Sequence, residues 1–219
     1  MRKKALWMAG LTAALIVALG GITEAAAAEE GAGLHYRWNS DGTALYVERC
    51  SLGSAVEMVI PASKEGFPVK GIDSRAFSGC RNLEKVVIPE SVTEIGASAF
   101  KDCEKLKSVN LPAGVTRIEN ETFSHCTSLE RVEIPSGVAE IGDSAFAGCT
   151  SLTGIELPAG VTVIGGSTFS DCTSLTRVEI PAGVTEIGAE AFRGCESLTP
   201  PYPLIPRPAR WRPSIETAG

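Results

Sequence analysis

Between Leu175 and Pro181 the chain reads Leu-Thr-Arg-Val-Glu-Ile-Pro, with apolar and polar residues alternating through Val178 and Ile180. A period of two puts the apolar side chains on one side of an extended backbone, which predicts a short strand with one buried face. Pro181 has no N–H to give to a ladder, so the strand ends there. A second extended piece, such as Val92-Thr-Glu-Ile95, leads in four units of six to a glycine, where the chain is expected to turn. The next segment, Ala97 to Cys103, spaces Ala99, Phe100 and Cys103 as one short helical turn would require.

This pattern recurs at a step of 23 residues. Cys80, Cys103, Cys126, Cys149, Cys172 and Cys195 keep the step without insertion. So do Phe77, Phe100, Phe123, Phe146, Phe169 and Phe192, and the leucines from Leu83 to Leu198. One unit runs from Ile88 to Asn110, and the next four begin at Leu111, Ile134, Leu157 and Ile180. A unit this short buries only one edge against itself, so its stability has to come from stacking like columns on neighbouring coils. A solenoid follows, with Phe, Leu, Val and Ile columns as its core and parallel strands stacked ~4.8 Å apart.

The motif Leu-x-x-Val-x-Ile-Pro-x-x-Val-Thr-x-Ile-Gly-x-x-Ala-Phe-x-x-Cys, in six phased copies over Ile60 to Leu198, resembles the BspA-like, or Treponema pallidum-type, leucine-rich repeat family. The resemblance implies an α/β leucine-rich-repeat solenoid, right-handed, with short stacked parallel strands and short helical turns. It also implies a bacterial surface or secreted protein that adheres to host matrix proteins and other cells, without catalysis.

Either end of the repeat has its own composition. Arg2 to Lys4, the apolar run Ala5 to Ile22 and the alanines Ala25 to Ala28 follow the layout of a secretory signal, so residues 1–28 are expected to be a signal peptide. The competing reading is an uncleaved anchor helix, since the run approaches the ~20 apolar residues that span a bilayer. Residues 29–59 are expected to form an N-terminal capping hairpin: Leu34, Tyr36 and Trp38 alternate with polar residues, Asp41-Gly42 marks a turn, and Leu45 and Val47 begin a second run. Residues 60–198 hold the six repeats, the first carrying five extra residues around Ser63 to Phe67. After them, Pro201, Pro203, Arg207 and Arg210 fall where core positions would continue, which predicts a Pro-rich disordered tail over 199–219. That tail reads as a polyproline ligand or linker, or as a truncated end that leaves the last coil uncapped and open to end-to-end self-association.

Charge narrows the partners. Removing Arg2, Lys3, Lys4 and Glu24 with the leader takes the net charge from −6 to −8, the opposite of a nucleic-acid footprint. Once the leader is cleaved, no membrane contact is expected. The phased cysteines line up in one column, too straight to enclose a metal and spaced too far for bridges, so they are read as buried small hydrophobes. No cofactor is expected. Cys50, outside the column, is the odd thiol, either free or paired with another chain. His125 falls in a variable, exposed slot, and no nucleophile-base pair or phosphate loop is visible.

Residues flanking the inward valines point outward and form two stripes. Lys85, Asn110, Arg131, Glu133, Glu156, Arg177 and Glu179 are the candidate partner-binding face. A second mixed stripe comes from Glu94, Arg117, Glu140, Val163 and Glu186. The expected partner is a protein, a host extracellular matrix or cell-surface protein. The alternative is a structural spacer, or a fragment of a longer repeat protein with no binding of its own. Neither stripe carries the aromatic anchors typical of interface hot spots.

Overall fold

The computed structural model describes residues 33–51, 56–198 and, as backbone, 210–211. The alternating segments form two stacks of parallel strands. In the first, β3 (Glu57–Val59), β6 (Lys85–Val87), β8 (Ser108–Asn110) and β10 (Arg131–Glu133) are hydrogen-bonded in that order. Strands β12 (Gly154–Glu156) and β14 (Arg177–Glu179) continue it, with β12 lying beside β10. The second stack holds β7 (Glu94–Ile95), β9 (Arg117–Ile118), β11 (Glu140–Ile141), β13 (Val163–Ile164) and β15 (Glu186–Ile187). From β6 onward, partners along each stack are one repeat apart, as in Val109 with Val132 and Ile141 with Ile164. The repeat length therefore sets the register: a slip of one residue would turn every valine outward.

Between the stacks the chain turns at each proline. The carbonyls of Pro89, Pro112, Pro135, Pro158 and Pro181 accept the N–H of the valine three residues on, at 3.0 to 3.1 Å. Proline thus both ends one strand and opens the turn into the next.

The third side of each coil differs from the helical turn expected. Among the described residues there is no helix. The segment Ala97 to Cys103 is a run of turns, because Ser98 (φ 57°) and Asp102 (φ 58°) both stand in the left-handed region, four residues apart. A helix cannot pass through such residues. Their equivalents recur in every coil, and the second slot holds Gly79, Asp102, His125, Gly148, Asp171 and Gly194, all types that tolerate positive φ. His125 occupies its exposed slot for this backbone reason. The turns free alternate N–H groups to reach the next coil: Phe100 donates to Thr122 O (2.9 Å) and Asp102 to Ser124 O (2.9 Å).

The phenylalanine rings fill the middle. Six stack in sequence, with centroids 5.1 to 5.6 Å apart and planes within 14° of parallel. The first five are fully buried. Beside them the column thiols do more than fill space. Cys103, Cys126, Cys149, Cys172 and Cys195 each donate Sγ–H to the carbonyl of the phenylalanine in the preceding coil, at 3.1 to 3.2 Å.

The recurring glycine after the second strand was expected to supply a turn, but Gly96, Gly142, Gly165 and Gly188 do not have positive φ. They are needed because a side chain would strike the previous coil: a Cβ at Gly188 would lie 2.3 Å from Gly166 N and 2.6 Å from Gly165 C. Gly188→Ala should therefore cost about 2–3 kcal/mol, since only backbone can yield there. Gly137→Ala, whose Cβ would meet nothing closer than 3.7 Å, should stay within ~0.5 kcal/mol. Urea melts of the two variants check this pair; equal losses would mean that backbone clearance is not what selects glycine.

At the N-terminal end, β1 (Leu34–Trp38) and β2 (Leu45–Cys50) form an antiparallel hairpin, and β2 runs parallel to β5 (Phe67–Ile72), which pairs in turn with β7. The cap thus extends the second stack. The five extra residues of the first repeat appear as a register of Glu57 with Lys85, and β4 (Ser63–Lys64) folds back on β5 through Glu65 and Gly66, both at positive φ. Thr122, of the Asn120-Glu-Thr122 sequon, is buried.

At the other end, β16 (Arg210–Trp211) runs parallel to β15. Ile187 faces Trp211, one residue beyond the strict repeat, so Trp211 rather than Arg210 takes the position opposite the isoleucine column. The rest of 199–219, read as a disordered tail, lies outside the described residues, as do residues 1–28, read as a signal peptide.

Candidate functional site

The three-residue strands of the first stack bury their central valine or isoleucine and turn both neighbours outward, which lays the exposed residues in two rows. One row aligns Lys85, Ser108 and Arg131, and then Gly154 with Arg177. The other aligns Asn110 with Glu133 and Glu156 with Glu179. All seven candidate residues therefore share one face. Lys85 is half-buried and the other six are exposed.

Like charges meet directly where Glu156 faces Glu179, which is mildly unfavourable. Arg177 relieves it by pairing with Glu179 on its own strand. One edge of this face carries a further ion pair, Lys107 with Glu84 at 2.6 Å, and the ammonium holds the Glu84 carboxyl below the usual carboxylate range. Being exposed, these pairs shape potential more than they add stability.

The second stripe is partly tied up in contacts of its own. Arg117 bridges Glu140 (3.0 Å) and Glu119 (3.3 Å), and Tyr46 of the cap donates its hydroxyl to Glu94 (2.8 Å). Where the cap meets these strands, Arg37 grips Asp73 with two nitrogens and lies over the Tyr46 ring, 4.8 Å from its centroid. Burial first, and then Glu94, pushes the Tyr46 phenol up to about 12. The ring covers Gly71, where a Cβ would come within 2.2 Å of it. A groove of about 540 Å³ opens beside these groups, lined by Arg37, Tyr46, Asp73, Glu94 and Arg117. Within it Arg37 is paired with Asp73, Tyr46 with Glu94 and Arg117 with Glu119.

Sequence reasoning missed an aromatic pair on the cap. Trp38 (50% exposed) and Phe67 (40% exposed) meet edge to face with centroids 4.6 Å apart, brought together by the pairing order β1, β2, β5, β4. Beside them, the Lys64 ammonium sits 4.7 Å over the Tyr36 ring. The available signal was Phe67 itself, the one phenylalanine of seven outside the repeat column.

Short strands stacked at one period, with an ordered core and outward rows of varied side chains, define a leucine-rich-repeat solenoid, an architecture that often mediates contact between proteins. Over residues 70–199 the sequence matches the model of the BspA type leucine rich repeat region in six copies, and the chain belongs to that family. Its fold is similar to the crystal structure of the T. pallidum leucine rich repeat protein (29% identity, 77% of this chain and 89% of that one, TM-score 0.69). It is similar also to a leucine-rich repeat protein from Bacteroides ovatus (33% identity, 76% and 44%, TM-score 0.71). A third similar structure is a leucine rich cell surface protein from Faecalibacterium prausnitzii (31% identity, 77% and 52%, TM-score 0.66). The chain spans most of the first of these and about half of each of the other two. No curated protein matches it.

Proposed function

We propose that this chain is a non-catalytic adhesion module, exported by its N-terminal leader and displayed or secreted, which docks a host extracellular matrix or cell-surface protein on the face made by Lys85, Asn110, Arg131, Glu133, Glu156, Arg177 and Glu179. The observation that carries the reading is the alignment of those side chains on two adjoining sets of parallel strands, each in register. Residues held by buried neighbours lose little freedom on binding, which keeps the ordering cost of an interface low. The exposed pair Trp38 and Phe67, on the cap sheet, offers a separate aromatic contact of the kind the stripes lack. The family's surface and secreted members, and the cell surface protein among the similar structures, support the location.

The test is binding of the chain to a panel of host matrix proteins. A variant carrying Arg131→Glu, Glu133→Arg, Arg177→Glu and Glu179→Arg should bind at least about tenfold more weakly, ~1.4 kcal/mol, with its melting temperature nearly unchanged. Trp38→Ala tested alongside reports on the cap. Equal affinity of the parent and the charge-reversed chain would remove this face from the interface, and no binding by a folded chain would favour a spacer.

A further inference from the structure

The hydrogen bonds between coils give every residue of the turn segment an address. Phe77, Phe100, Phe123, Phe146 and Phe169 each donate their N–H to the residue before the phenylalanine of the next coil: Ala99, Thr122, Ala145, Thr168 and Ala191, at 2.8 to 2.9 Å. One coil below Phe77, the residue that donates to Ala76 O, at 2.7 Å, is Cys50. Cys50, the one cysteine outside the column, therefore stands in the phenylalanine slot of the cap. That slot has a fixed neighbour. Each column thiol from Cys103 to Cys195 reaches back to the phenylalanine of the coil before it, and for Cys80 the residue in that place is Cys50.

We propose that Cys50 and Cys80 are a disulfide site, whose oxidation covalently locks the N-terminal cap to the first coil of the solenoid. The two thiols hydrogen-bond each other, and this contact, ahead of burial, raises the Cys80 pKa. Both residues are half-buried and pack against the hydrophobic core, so a small oxidant can reach them. The column thiols differ in access and direction. Cys103, Cys126, Cys149 and Cys172 are fully buried and donate to carbonyls, so the contact between the Cys103 and Cys126 thiols is closed to an oxidant. Successive members also lie side by side, at a strand spacing of ~4.8 Å that exceeds the ~3.5–4.5 Å between bridged Cβ atoms. Cys50 comes instead from a slot three residues ahead of the cysteine slot, and from there its thiol is in contact with that of Cys80.

The chemistry is thiol–disulfide exchange with a low-molecular-weight disulfide such as oxidised glutathione. The Cys50 thiolate attacks one glutathione sulfur, forms a mixed disulfide and releases one glutathione thiolate. Cys80, giving up its proton, then attacks Cys50 Sγ and displaces the second glutathione. Two protein thiols are oxidised, one glutathione disulfide is reduced to two thiols, and the protons of Cys50 and Cys80 end on those thiols. None of this depends on the binding face, which lies on another side of the coils.

The experiment is peptide mapping of the reduced full chain after incubation with oxidised glutathione under native conditions. The expected product is lighter by two hydrogens, and trypsin releases from it residues 50–64 joined to residues 76–81. Its melting temperature should rise by about 5–10 °C over the reduced form, and a reductant should reverse the shift. Cys50→Ser should give no linked peptide and no rise. Two free, alkylatable thiols after oxidation of the wild-type chain, or Cys50 joined to any residue but Cys80 of its own chain, would overturn the proposal. The linked peptide without a rise in melting temperature would overturn the lock.

Discussion

Raising the pH from about 8 to about 10.5 under reducing conditions is expected to unfold this protein, and the column thiols are the cause. An unfolded cysteine titrates near 8.5. In the fold, burial pushes the Cys172 thiol up to about 12 and Cys195 to about 11, and raises Cys149 well above its ordinary value. Cys103 is raised further, first by its contact with the Cys126 thiol and then by burial. Above pH ~8.5 the unfolded chain sheds protons that the folded chain keeps, so stability is full below that value and falls as pH rises toward the folded pKa. Each fully buried thiol contributes a loss of about 1.4 kcal/mol per pH unit. Cys103, Cys149 and Cys172 together approach 4 kcal/mol per unit, against a typical total stability of about 5–15 kcal/mol. Tyr46, pushed up to about 12, adds in the same direction above pH ~10. Thermal melts across this range should show a steep decline for the wild type and a visibly shallower one for Cys149→Ala. A flat profile would mean that the thiols ionise in place.

Removing one ring from the middle of the aromatic stack should be the most damaging single truncation. Phe123 has no exposed surface and lies between Phe100 and Phe146, with centroids 5.5 Å away on both sides. Phe123→Ala deletes the ring from a rigid column and leaves a cavity, which costs about 3–5 kcal/mol. Two ring contacts are lost at once, each worth roughly 0.5–1.5 kcal/mol beyond burial. Because each coil touches only its neighbours, this break also separates the coils on either side into two weakly coupled halves. Phe192, half-buried and stacked within the described residues only on Phe169, should lose less than half as much on truncation. Urea melts of the two variants decide it. Equal losses would show that stability is not passed from coil to coil.

Much of this architecture can be read directly from the columns. A residue repeated six times at one step reports the same environment six times, so Phe, Leu, Val and Cys announced their burial, and the alternation around Val109 or Val178 announced which neighbours face out. The face carrying Arg131, Glu133, Arg177 and Glu179 was legible for the same reason. Where the pattern was misjudged, two backbone effects look alike in sequence: a glycine chosen for positive φ and one chosen for lack of a Cβ are the same letter, and only the position of Gly166 N against Gly188 separates them. Likewise, the spacing of Ala99, Phe100 and Cys103 suits a helical turn and a run of turns equally, until Ser98 and Asp102 are seen at positive φ.

What the sequence by itself determined is the repeat: its length, its register and its core, because stacking forces each coil to answer to its neighbours. Tertiary structure alone decided the parts that occur once. Trp38 meets Phe67 across the single strand β2, Cys50 takes the place of a phenylalanine beside Cys80, and Trp211 arrives one residue out of register. A residue without a second copy carries no period to read, and its neighbours are fixed only by how the chain closes around it.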